Sequence, residues 1–341
     1  MQYAHHWDLD PATTYLNHGS FGPSPKAVRA AREEWSTNLE RQPMRFFCQQ
    51  MEEELHNAAE HLAKFLHTKA ARLALVDNAT IAMNIVADSV DLQPGDEVLL
   101  TDHEYGAVRN IWNRKCLQAG AKIVIAQLPF PLDDEGTVAT ISDAISGDTK
   151  IIVFSHVTSP TAAILPVKAI CQLAKQRGVL TAIDGPHAVA MLDIHLDDIG
   201  CNFYCASCHK WLCAPFGSGF LWVHPKHHGK VRCPITSWGG SIAGHEARWQ
   251  DRTNWLGTRD PAPLLSIPTA IKFFADVGLA TFRQNAHELI CHARRELLTI
   301  DDIGPFCTST EVEVYTAYEL NLTPCGPQGQ CTYRYTSLEH R

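Results

Sequence analysis

Between residues 72 and 225 the sequence alternates between short runs that are apolar on both faces and longer stretches with helical spacing. The short runs are RLALVD (72–77), DEVLLTD (96–102), KIVIAQL (122–128), TKIIVFSHV (149–157), VLTAID (179–184) and GFLWVHP (219–225). Amphipathic patterns over 80–90, 106–120, 137–146 and 166–178 separate them, and Gly178 ends the last one. A strand that is apolar on both faces must be covered on both faces. The alternation therefore predicts an α/β fold with a mainly parallel sheet flanked by helices. From about residue 263 the pattern becomes helical, which divides the chain into a large domain over 15–262 and a smaller C-terminal one over 263–341, joined by 1–14.

In such a sheet, ligands bind at the carboxyl ends of the strands. The residues just after the strands are Asn78-Ala79-Thr80, His103-Glu104-Tyr105, 156–161, 184–187 and 207–210. All are small or polar, and several titrate, which packing alone does not require. Lys210 is the most conspicuous. It sits in YCASCHKWLCAPFGSGFLWV (204–223), where no other side chain carries a fixed charge. A buried lysine is costly unless its charge is paired or removed. Its amine then has a depressed pKa and becomes a nucleophile suited to a Schiff base.

Two further segments complete a chemical set. VDNAT opens a helix with small residues, whose backbone N–H groups suit a phosphate. AIDGPHA places Asp184 at the end of a strand with His187 three residues on, and a carboxylate there suits a protonated pyridine nitrogen. Ser207 and His209 are donors for the same phosphate. The parts match pyridoxal 5'-phosphate: a phosphate cradle, a pyridinium partner and a Schiff-base lysine, in chain order. No P-loop, dinucleotide fingerprint or G-x-S-x-G elbow is present.

YLNHGSFGP, DNAT, DHEYGAVRN, DGPHA, SCHKWLCAPFGSGFLWV and GTRDPAP resemble the aminotransferase class V family of fold-type I pyridoxal phosphate enzymes. The resemblance runs from about residue 15 to 300 and is nearest to the isopenicillin N epimerase-like branch, which also includes C–S lyases and is related to cysteine desulfurases. It implies an enzyme acting on an amino acid through an external aldimine and a Cα carbanion. Epimerisation is the leading expectation. A C–S lyase or cysteine desulfurase-like enzyme, and a catalytically impaired cofactor-binding homologue, are the alternatives. The resemblance assigns Lys210 as the Schiff-base lysine, Asp184 as the pyridine partner and His187 as a donor near the phenolic oxygen. Ala79, Thr80, Ser207 and His209 become phosphate ligands, and Tyr105 the residue stacked on the ring. Thr158 or Ser159 supplies a polar ring contact, and Asn17 and His18 border the substrate. Thr258, in GTRDP, reaches the phosphate of a second subunit, which implies a homodimer with shared sites.

The terminal stretch departs from the family pattern, which makes the small domain truncated or divergent. Arg334 and Arg341 stand by position for the arginine that binds the substrate carboxylate in relatives. Cys325 and Cys331 do not match the mobile cysteine loop of desulfurases. Cys201, Cys205, Cys208 and Cys213 lie close enough to suggest zinc, but they lack two paired C-x-x-C units, so no metal is expected. The twelve cysteines read as reduced thiols, and no basic-then-apolar leader opens the chain. No apolar run approaches membrane-spanning length. With a net charge of −8 the chain offers no basic field for nucleic acid. A cytoplasmic protein is the expectation.

Overall fold

Seven strands form one sheet in the order β1-β7-β6-β5-β4-β2-β3. They are β1 (Leu73–Val76), β2 (Glu97–Thr101), β3 (Lys122–Ala126), β4 (Thr149–Ser155), β5 (Leu180–Asp184), β6 (Phe203–Ser207) and β7 (Gly219–Val223). Strands β3, β2, β4, β5 and β6 run parallel, whereas β7 is antiparallel to both β6 and β1. The structure, a computed structural model, describes residues 3–129, 131–299 and the short strands Ile303–Gly304 and Thr323–Pro324. Arg334, Arg341, Cys325 and Cys331 lie outside the described residues.

The longer helices among the described residues are α1 (Lys26–Arg41), α2 (Met51–Phe65), α3 (Ala79–Ser89), α4 (Gly106–Ala119), α5 (Asp134–Ala144), α6 (Val167–Gln176), α7 (Ile267–Val277) and α8 (Leu279–Leu297). They cover both faces of the sheet, as the doubly apolar strands require. On one face Leu99, Ile152, Phe154, Ile183, Tyr204 and Trp222 pack with α2, α6 and α7. On the other, Val98, Leu100, Ile151, Val153, Phe203 and Val223 pack with α3 and α4. The two sets alternate along each strand, which is the period-2 geometry of a pleated strand. Each such aliphatic or aromatic side chain contributes about 1.5–3 kcal/mol by burial.

Two observations refine the sequence reading. Strand β6 was absorbed there into the lysine segment, because Tyr204, Cys205 and Ala206 carry no β-branched signal. The domain boundary expected at 262/263 falls inside one hydrophobic cluster. Leu264, Leu265, Ile267, Ala270 and Phe274 pack into the same core as Leu55 and Leu62 of α2. Residues 3–16 also lie against this body, with Trp7 donating to the Pro23 carbonyl at 2.8 Å.

Candidate active site

The parallel strands end at a common edge, and the loops after them enclose a cavity of about 280 Å³. Lys210, Asp184, His187, Ser207, His209, Ala79, Thr80 and Tyr105 all line it. Register explains the convergence. Ser155 of β4 pairs with Asp184 of β5, which pairs with Cys205 of β6, two residues before Ser207. The next loop carries Lys210. It is tied back on itself by Cys208 N–H to the Ser218 carbonyl at 2.8 Å and Cys213 N–H to the Lys210 carbonyl at 3.2 Å.

At one end of the cavity, Asn78 caps α3 by accepting from Ile81 N–H at 3.0 Å. Ser207 Oγ accepts from Ala79 N–H at 3.0 Å, which leaves its own O–H as a donor. Gly219 permits this closeness: a Cβ there would meet the Ala206 carbonyl at 2.6 Å and Asn78 Cα at 2.9 Å. His209 Nδ1 is buried and has no hydrogen-bond partner among the described residues. Burial, then the Lys210 charge, pushes the His209 imidazole down to about 4, so the ring is neutral. A helix N-terminus, a hydroxyl and an orphaned imidazole nitrogen together suit a phosphate.

Asp184 is buried at the other end of the set. No described residue donates a hydrogen bond to its carboxylate. Burial raises it to about 6, against the opposing pull of Lys210. A buried carboxylate without a donor calls for a cationic N–H, and a pyridinium supplies one. Behind it lies Glu104, raised to about 7 by burial. Glu104 accepts from Thr101 Oγ1 at 2.6 Å and Ser155 Oγ at 2.7 Å.

Lys210 Nζ lies 2.9 Å from His187 Nε2. Trp211 Nε1 donates to His187 Nδ1 at 3.4 Å. An indole N–H only donates, so Nδ1 is the acceptor and the neutral ring carries its proton on Nε2. That proton points at the Lys210 amine, which accepts it only as a free base. Burial agrees: it lowers Lys210 to about 8 and His187 well below its ordinary value. The arrangement gives Lys210 a far larger free-amine fraction near neutral pH than an ordinary lysine has, and that fraction grows as pH rises through about 8.

The remaining assignments need correction or relocation. Of the Thr158–Ser159 pair, Ser159 lines the cavity. Thr158 is buried in its own loop, its hydroxyl bonded to Thr161 at 2.6 Å and to Ala163 N–H at 2.9 Å. Asn17 and His18 do not line the cavity; Gly19, Ser20 and Phe21 do. Asn17 is spent capping the short helix His18–Phe21. His18 packs among Trp7, Tyr15 and Trp211. Thr258 is exposed and lies outside its own chain's cavity, although Arg259 beside it pairs with Asp77 next to the α3 cap. Cys201, Cys205, Cys208 and Cys213 are fully buried core residues, and burial pushes their thiols up, Cys213 to about 12. Trp211 and Ser155 escaped sequence reasoning. The position of Trp211 next to the lysine was the only available signal for it.

Comparison with known proteins agrees with this geometry. The model of the family described as aminotransferase class V matches residues 14–328. An isopenicillin N epimerase of Amycolatopsis lactamdurans is 38% identical over 303 residues, 85% of this chain and 76% of that one. One from Streptomyces clavuligerus is 36% identical over 301 residues, with the same two coverages, 85% and 76%. Among solved structures, C-DES, a cystine C–S lyase bound to cysteine persulfide, superposes with a TM-score of 0.77 at 20% identity. The match covers 89% of this chain and 83% of that one. Another C-DES structure holds glycine covalently linked to the pyridoxal phosphate cofactor.

Proposed function

We propose, this chain being a member of the aminotransferase class V family, that it removes and returns the α-proton of an amino acid in an isopenicillin N epimerase-like reaction. Its cofactor is pyridoxal 5'-phosphate. The observation that carries the reading is the Lys210 amine held by His187 Nε2 at 2.9 Å in one cavity with the buried Asp184.

Bound there, the cofactor supplies an aldehyde that condenses with amines and a protonated ring that accepts the electron pair left at Cα. The residues do the rest. Ala79, Thr80, Ser207 and His209 hold the phosphate. Asp184 holds a proton on the ring nitrogen by its charge, a task that its burial makes stronger. Lys210 takes the α-proton as a free amine. His187 shares a hydrogen bond with that amine and steadies its direction. Half-exposed Tyr105 covers the cavity. Return of the proton on either face of Cα gives two stereoisomers.

The test is incubation of the cofactor-loaded protein with amino acids in deuterium oxide. Exchange of the α-hydrogen together with the opposite enantiomer supports epimerisation. Release of a β-sulfur group assigns a C–S lyase instead. Cofactor binding without exchange for any amino acid assigns an impaired homologue. The same reading makes the protein a homodimer with shared sites, for which the exposed Thr258 is the support. It also makes the protein cytoplasmic, in keeping with nine free cysteines among the described residues. No single described helix is long and apolar enough to cross a membrane.

A further inference from the structure

Outside the Lys210 cavity, the end of α2 meets the segment that follows β5. Leu66 and Leu196 are both fully buried, and the Leu196 N–H donates to the Leu66 carbonyl at 3.1 Å. That bond sets their chain neighbours, His67 and His195, side by side. A second tie flanks it, where Asp197 accepts from Thr68 Oγ1 at 2.5 Å and pairs with Arg72 at 2.8 Å. Ile194 is buried in the core, so Asp193 and His195 on either side of it turn outward together, as alternate residues of an extended segment do.

Three ligating side chains thereby converge. One atom from each of His67, Asp193 and His195 lies within 4.8 Å of the other two. His195 Nε2 is 3.3 Å from Asp193 Oδ2, and His67 Nε2 is 3.9 Å from Asp193 Oδ1. Ligands at about 2.0–2.2 Å from a tetrahedral zinc ion are about 3.3–3.6 Å apart, so the spacing is near that of a coordination shell. The two imidazoles stack with centroids 3.8 Å apart and planes 2° apart. Splaying them toward one ion takes a rotation that half-exposed side chains make readily. Arg283 also faces Asp193, at 3.9 Å from Oδ1, but its guanidinium donates to the Ala190 and Leu192 carbonyls at 2.7 Å, which leaves Oδ2 for an ion.

Two features set this trio apart from a chance surface cluster. His67 has a φ of +50°, the left-handed conformation in which glycine usually ends a helix. Thr68 N–H closes the turn onto the Ala63 carbonyl at 2.9 Å. An imidazole is held there against the preference of the backbone. Asp198 Oδ2 lies 3.7 Å from His195 Nδ1, the ring nitrogen that does not face Asp193. A carboxylate behind a histidine ligand orients the ring and directs its other nitrogen to the metal.

We propose that His67, Asp193 and His195 bind one divalent metal ion of the zinc class, with water completing the shell. Two imidazoles and one carboxylate suit zinc and leave a position open. Bound there, the ion clamps the end of α2 to the segment that carries His187 away from β5. The site shares no residue with the Lys210 cavity, so it stands or falls apart from the proposed reaction.

The test strips the cofactor-loaded protein with EDTA, removes the chelator and titrates zinc by calorimetry, with a phosphine keeping the thiols reduced. One zinc ion per chain should bind and raise Tm. His67→Gly suits the positive φ and so keeps the fold, and His195→Ala removes the second imidazole. Each should weaken zinc binding at least about tenfold and remove most of the rise in Tm, while the cofactor absorbance stays native. Zinc held by both variants with native affinity would place the ion elsewhere, such as on the cysteines, and overturn the site. Uptake of no zinc by the native protein would overturn it equally.

Discussion

Two residues give predictions that depend on a single hydrogen or charge. Asp184 accepts no hydrogen bond from the described protein and is raised to about 6, chiefly by burial, so it is anionic above that pH. Asp184→Asn keeps the shape and loses the charge that protonates the ring. Cofactor should remain bound through Ser207, His209 and Lys210, while α-hydrogen exchange falls about 10²–10³-fold. Full exchange in that variant would contradict the role. Trp211 acts at one remove, by fixing the His187 tautomer from 3.4 Å. The groups that face Lys210 are Asp184, which favours the ammonium form, and His187 and His209, neighbours whose charging it opposes. Burial outweighs Asp184, and the free amine gains population as pH rises through about 8. Capture of pyridoxal phosphate by the apoprotein should therefore accelerate across that range. In Trp211→Phe the ring is free to turn a lone pair toward Lys210 and stabilise its ammonium form. The midpoint of capture should then move to higher pH, and an unmoved midpoint would show Trp211 to be packing only.

Among the elements, the strands and helices between 72 and 223 were legible because both-face burial leaves a plain apolar signature. Lys210, Asp184 and the α3 start were legible because each sits where a buried strand meets a loop. Strand β6 was not, since beyond Phe203 and Tyr204 its residues Cys205, Ala206 and Ser207 look like no element in particular. The choice of Ser159 over Thr158 was also illegible: it depends on which hydroxyl the loop uses for itself, a tertiary fact. The N-terminal segment shows the same limit. His18 reads as a substrate contact in sequence, yet it packs on Trp211 with ring centroids 6.4 Å apart. What the segment brings to the site is close backbone approach, through Gly22. A Cβ at Gly22 would meet the Lys210 carbonyl at 2.2 Å and the His209 carbonyl at 2.6 Å. Backbone cannot yield as a side chain does, so Gly22→Ala should cost about 1–3 kcal/mol. A drop of several degrees in Tm is expected, and an unchanged Tm would show that the segment does not seat on the lysine loop.

For the molecule as a whole, the fold brings loops from five strands to one edge and leaves Thr258 and Asp260 of GTRDP exposed. Thr258 is exposed, while Arg259 anchors its loop to Asp77. A homodimer with shared sites should sediment at twice the 37.8 kDa chain mass. Thr258→Ala should then hasten cofactor loss from the dimer; a monomer that retains cofactor fully would contradict the shared site. Everything in the site turns on the Lys210 amine, which should bond covalently to pyridoxal phosphate. The most direct measurement is borohydride reduction of the loaded protein followed by peptide mass spectrometry. A pyridoxyl-phosphate adduct is expected on Lys210 and none in Lys210→Ala. An adduct on another lysine, or no adduct at all, would contradict it.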